Sequence, residues 1–112
     1  MKPPALNRRL ELQERVNVAD GAGGYAVMWT TLGTLWAEVK PVSGREVAGT
    51  EVSLSAVSYV ITLRATQASS AQRPLAGQHL VEGSRRFEIL AVAEVGAEGR
   101  HLRCYAREET HP

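Results

Sequence analysis

"RLELQERVNV" (Arg9–Val18) decides the architecture. Leu10, Leu12, Val16 and Val18 fall on one face, broken only by Glu14, while Arg9, Glu11, Gln13, Arg15 and Asn17 make the opposite face wholly polar. A period of two marks a strand with one side on a core and the other in water. Working outward, the same period returns in Thr34–Val42, with Leu35, Ala37 and Val39 opposed to Trp36, Glu38 and Lys40. It returns again in Val57–Ala65, where Val57, Tyr59, Ile61 and Leu63 share a face, and in Arg100–Arg107, where Leu102, Cys104 and Ala106 do. Arg86–Val95 is rich in β-forming residues, and His79–Glu82 can form a short strand before the turn at Gly83 and Ser84. Tyr25–Thr31 is ambiguous.

Turn chemistry separates these runs. "ADGAGG" (Ala19–Gly24), Gly83 with Ser84, and "GAEG" (Gly96–Gly99) all read as turns. Pro41 ends ladder pairing for the strand before it. No segment holds a 3.6-residue period, and Arg45–Ala56, the best helical candidate, carries Gly49 and several β-branched residues. The fold class is therefore all-β: a small barrel or sandwich of about six strands, with a long loop over 42–56 that a short helix could partly occupy. A second loop spans 67–78 and the tail 108–112 is expected to fray. The core should comprise Leu10, Leu12, Val16, Leu35, Val39, Ile61, Leu63, Phe87, Ile89, Leu102 and Cys104.

The 112 residues suffice for one domain, 1–112, burying roughly 65% of its unfolded surface. The 44% hydrophobic content is that of a globular protein, and no apolar run approaches the ~20 residues that span a bilayer. "MKPPALNRRLELQ" lacks the apolar core of a secretory signal, so synthesis in the cytoplasm is expected, with no membrane partner. Thirteen basic residues nearly cancel twelve acidic ones, for a net charge of +1, so the chain as a whole sets up no field that draws in nucleic acid. Eleven of the thirteen are Arg, whose forked contacts suit protein interfaces.

Reactive chemistry is hard to find. His101 and Cys104 lie three apart on one strand and so on opposite faces, where they cannot share a metal or form a thiol–imidazole pair. Cys104, beside Leu102 and Ala106, reads as a small buried hydrophobe. "GAGG" (Gly21–Gly24) is followed by no Gly-Lys-Ser/Thr and opens no helix, and Asp20 is the only aspartate. No enzyme, metal or cofactor is expected. An alternative from another class is a barrel binding single-stranded nucleic acid through Trp29, Trp36, Tyr59, Phe87 and Tyr105 with Arg64, Arg103 and Arg107.

The order of features carries more information than any one. "LNRRLELQERV" precedes a Gly-rich turn and a Trp ("DGAGGYAVMW"), then come "LWAEV", "SGREV", "VSYVITLRA", "RRFEILAVAEV" and "RHLRCYARE". Over about Leu6–Arg107 this resembles the phage head-tail joining family, the small head-closure or stopper proteins of long-tailed phages and gene transfer agents. Trp36-Ala37-x-Val39, Gly44-x-Glu46, Leu63-Arg64 and Phe87-x-Ile89 carry the likeness.

The resemblance implies a structural virion protein in the head-tail neck: a homo-oligomeric ring, usually a hexamer. Portal and adaptor would lie above it and a tail terminator or tail tube protein below. Double-stranded DNA would pass through the channel without sequence-specific binding. It also implies that the 42–56 loop reaches beyond the barrel. Trp36, Arg45, Glu46, Val47, Val52 and Leu54 are the candidate subunit or partner contacts. Val47, Val52 and Leu54 are apolar residues that assembly would cover, or that would hold the loop as an intramolecular lid over the barrel mouth, and Arg45 and Glu46 suit charge-assisted bonds across an interface.

Overall fold

The computed structural model describes residues 3–42, 58–66, 70–96 and 98–109. Six strands follow one another: β1 (Arg8–Ala19), β2 (Tyr25–Pro41), β3 (Tyr59–Arg64), β4 (His79–Glu82), β5 (Arg85–Val95) and β6 (His101–Glu108). All pairings are antiparallel, and the sheet closes on itself in the order β1-β2-β3-β6-β5-β4. Closure leaves the central ladder without an edge, as the many short alternating runs require. No helix occurs among the described residues.

The ambiguous Tyr25–Thr31 stretch is the first part of a single 17-residue strand, β2. Its period was hidden by a bulge. Leu12 pairs with Gly33 and Gln13 with Thr31, so Leu32 is an extra residue and the face parity of β2 flips there. Leu32 thereby joins Leu35 and Val39 against the core. A second irregularity, between Ile89 and Ala91, makes Leu90 the extra residue of β5.

One expected core residue is corrected. Val16 is 37% exposed, and Val18 on the same face 45%. The four-residue β4 pairs with β1 only over Glu11–Gln13. Beyond Gln13 the inner face of β1 runs past the rim of the barrel, so its alternation continues with nothing opposite among the described residues. The residues from Glu14 through Thr30 form a two-stranded hairpin projecting from the barrel, and Asp20 closes its turn. The Asp20 carboxylate accepts from the N–H groups of Ala22 (2.8 Å) and Gly24 (3.0 Å), while Gly21 and Gly23 take φ of 78° and 86°.

The other expected core residues lie inside. Leu10, Leu12, Ile61, Leu63, Phe87, Ile89, Leu102 and Cys104 are essentially fully buried with Ala37, Leu80 and Ala106, and Leu35 and Val39 pack on them half-buried. Each buried Leu, Ile or Phe contributes about 1.5–3 kcal/mol. A separate cluster forms on the outer face, where Tyr105 is covered among Val42, Val60, Leu90, Ala91 and Ala93.

Candidate functional site

Both mouths of the barrel are stoppered by its own side chains. At the end from which the 42–56 loop leaves, Arg8 grips Glu82 with both Nε (2.6 Å) and Nη2, and Arg85 grips Glu108 through Nε (2.8 Å) and Nη2 (3.2 Å). Arg85 also donates to the Tyr59 hydroxyl (3.3 Å), with its guanidinium 4.9 Å from the Phe87 ring centroid and 5.6 Å from that of Tyr59. Tyr59 meets Phe87 edge to face at 5.1 Å. These charges follow from register. Arg8, Glu82, Arg85 and Glu108 occupy the inward parity at strand ends, where a polar lid over the apolar core is stable only if every charge is paired. Hydrogen bonds from Arg8 and Arg85 hold Glu82 and Glu108 below the usual carboxylate range.

At the opposite mouth, residues 70–78 cross the opening. Arg73 donates to the Thr66 carbonyl (2.6 Å) and to Glu94 (3.1 Å), Pro74 is buried, and Gln78 Oε1 accepts from the Leu75 N–H (2.8 Å). Gln72 lies so close to Gly33 that a Cβ there would sit 2.9 Å from its Cδ. Among the described residues the interior is thus packed and capped at both ends.

Cys104 is inert as placed. Burial pushes its thiol up to about 12, and its strand neighbours across the ladder are Ile61 and Val92. His101 lies on the outer face, paired with Arg64 and Val95. The histidine with unusual surroundings is His79, 3% exposed although it faces outward. Trp29 covers it, rings stacked 3.7 Å apart, and its Nε2 lies 3.0 Å from Glu109 Oε1, while its Nδ1 is buried without a partner among the described residues. Burial lowers its pKa, and the Arg86 charge adds to the effect while Glu109 and Glu88 oppose it. His79, Glu88 and Glu109 bring ligand atoms within 4.8 Å of one another. Glu88, however, is bound by Arg107, and the Arg86 charge lies close by, so the group is a balanced ionic cluster unsuited to a cation.

Of the candidate contact residues, Arg45, Glu46, Val47, Val52 and Leu54, with the helical candidate Arg45–Ala56, lie outside the described residues. The roots of their loop are fixed: Val42 N–H donates to the Ser58 carbonyl (3.1 Å), next to the last β2–β3 pair, Pro41 with Tyr59. Trp36 is 57% exposed on the outer face opposite Arg9. It borders a cleft where β2 and β3 diverge, floored by Leu35 and Leu63 and flanked by Arg64. The aromatics available for nucleic-acid stacking are dispersed. Trp29 is occupied by His79, Tyr59 and Phe87 lie under Arg85, and Tyr105 is buried.

Sequence reasoning did not single out the projecting hairpin, where Tyr25, Val27 and Met28 are exposed with Val16 and Val18. Its signal was an alternation too long for the strands available to cover it.

A packed barrel whose conspicuous surfaces are a hairpin at one end and loop roots at the other defines an assembly protein. The chain belongs to the phage head completion protein family, which it matches over residues 1–109, and is a structural protein of the virion. A chain in the virion of a native gene transfer agent particle is 47% identical over 96% of this chain and 98% of that one, with a TM-score of 0.74. A Shigella flexneri 2a protein of known solution structure shares the fold, with 23% identity over the whole of both chains and a TM-score of 0.73. No curated protein matches.

Proposed function

We propose that this chain is the head-closure, or stopper, subunit of a phage-like or gene-transfer-agent neck. It assembles as a homo-oligomeric ring of six copies around the DNA exit channel, between the portal–adaptor complex and the tail terminator or tail tube. The 47% identity over nearly the full length to a chain of a gene transfer agent virion is the observation that carries this reading. The placement of the two projections supports it. Loop roots at Val42–Ser58 and the hairpin turn at Asp20 are the two ends of β2, which suits a subunit with different neighbours above and below.

The role proposed is mechanical and needs no reactive group, in keeping with a capped core and a thiol held protonated. A net charge of +1 suits a ring through which DNA slides, because each neutralised phosphate would add binding free energy and drag.

The 42–56 loop is the proposed docking element, with Arg45, Glu46, Val47, Val52 and Leu54 on neighbouring chains. Since Val42 and Ser58 already meet through a hydrogen bond, an Asn-Gly turn can replace residues 44–55 without straining the barrel. That deletion should give a folded protein and DNA-filled heads that leak or lack tails. Normal tailed particles from the deletion would remove the docking role.

A further inference from the structure

The hairpin is a ribbon with two open edges. Beyond Gln13, β1 has no strand on the side away from β2, and from Tyr25 to Trp36, β2 has none on the side away from β1, among the described residues. Asp20 N–H donates to the Gly24 carbonyl (3.0 Å), which sets the alternation. Asp20, Val18 and Val16 direct their backbone groups toward β2, so Arg15, Asn17 and Ala19 direct theirs outward. By the same rule Tyr25, Val27 and Trp29 offer the outward groups of β2.

Protein sheets protect such edges with charge, proline or a covering element. Among the described residues the β2 edge from Tyr25 to Trp36 has none of these except where Gln72 abuts Gly33. Its twelve residues, "YAVMWTTLGTLW", contain no charged residue and no proline, and are dominated by β-branched, aromatic and long apolar side chains. A two-stranded ribbon is also marginal in water on its own. Here Val16, Val18, Tyr25, Val27 and Met28 are all exposed on it. More strands would stabilise the ribbon, and what is missing on each side is specific: the open β1 edge needs an antiparallel neighbour, and so does the open β2 edge.

A second copy supplies both. Copies related by rotation about an axis along the hairpin bring β1 of one beside β2 of the next, antiparallel, with the uncharged edge meeting an edge whose charges end at Arg15. The two edges of one chain face opposite ways and cannot meet each other. The contact is therefore head-to-tail, the kind that closes into a ring when the rotation permits.

We propose that the ring is sealed by hairpin-to-hairpin pairing, with the outer edge of β1 (Glu14–Ala19) of each copy adding to the outer edge of β2 (Tyr25–Thr30) of the next. This rests on the ring reading above and names its subunit interface.

Two variants test it. Asn17→Pro removes an outward N–H of β1 and Val27→Pro an outward N–H of β2, and neither removes a ladder bond inside the hairpin. Circular dichroism and retained Trp29–His79 contact in NMR spectra establish that each is folded. In native mass spectrometry each variant alone should stay at 12.2 kDa. A 1:1 mixture keeps one intact edge of each kind and should yield a dimer of twice that mass, about 24 kDa, and nothing larger. In a producing cell each variant should be lost from purified particles that contain the wild-type chain. A mixture that stays monomeric, or either variant entering particles at the wild-type level, overturns the proposal. Absence of the wild-type chain from particles would instead count against the neck assignment itself.

Discussion

Cys104 gives the most quantitative check on the packed barrel. It is fully buried, with Ile61 and Val92 as cross-strand neighbours, and burial raises its thiol to about 12 against an ordinary value of roughly 8.5. At pH 8 about a quarter of an unfolded thiol is thiolate, whereas the native fraction is on the order of 10⁻⁴. The ionisation factor alone slows labelling by a disulfide reagent about 2,000-fold, and occlusion slows it further. The absorbance change on labelling should therefore develop over hours in buffer and within seconds in 6 M guanidinium. The same shift gives a sign for stability. The folded pKa lies above the unfolded one, so the contribution is complete below pH 8.5 and is lost as pH rises toward 12, at about 1.4 kcal/mol per unit. Urea midpoints of the wild type should fall from pH 8.5 to 10 relative to those of Cys104→Ala, which lacks the group. Native labelling within tenfold of the unfolded rate would refute the closed interior, and with it the reading of this cysteine as packing alone.

Cys104→Ser should lower stability by about 2 kcal/mol, or roughly 8 °C in Tm, by burying a hydroxyl without a partner. Val16→Thr should cost under about 0.5 kcal/mol and Leu12→Ala about 2–5 kcal/mol by urea denaturation, which separates the exposed hairpin from the core on the same strand face. Arg85→Met leaves Glu108 without its partner in the half-exposed barrel mouth and should cost about 0.5–1 kcal/mol at pH 7. Because Glu82 and Glu108 are depressed in the fold, that ionic lid stabilises above the ordinary carboxylate range and weakens as pH falls below it, so the Arg85→Met penalty should shrink at pH 3. His79 is held below its ordinary 6.5, so wild-type stability should decline as pH drops through and below that value; His79→Leu should flatten the decline, read as the pH dependence of the urea midpoint.

The strands were legible where one face meets the core and the other meets water. Leu10 and Leu12, Ile61 and Leu63, and Leu102 with Cys104 announced themselves by parity alone. Parity misled where it outran the barrel: Val16 has the right spacing, but whether a strand lies opposite depends on the length of β4, a long-range fact no local pattern contains. It was silent where bulges inserted Leu32 and Leu90, since each flips the face of everything beyond it. Charge on the inward face at Arg8, Glu82, Arg85 and Glu108 carries no local signal, because the pairing that makes a lid of it joins four different strands. His79 stayed unremarkable in sequence because its cover, Trp29, sits fifty positions away on a strand whose register was hidden.

The unbroken run of β2 has a mechanical consequence. Seventeen extended residues reach about 55 Å at ~3.3 Å each, which matches the 55 Å long axis of the molecule. One end meets the hairpin turn and the other the root of the 42–56 loop. Tension applied between those ends runs along a single covalent strand and loads the flanking β1 and β3 hydrogen bonds in shear, all at once, instead of peeling them one by one. A protein built this way acts as a tie-rod, able to carry a load from one end of the strand to the other without unzipping.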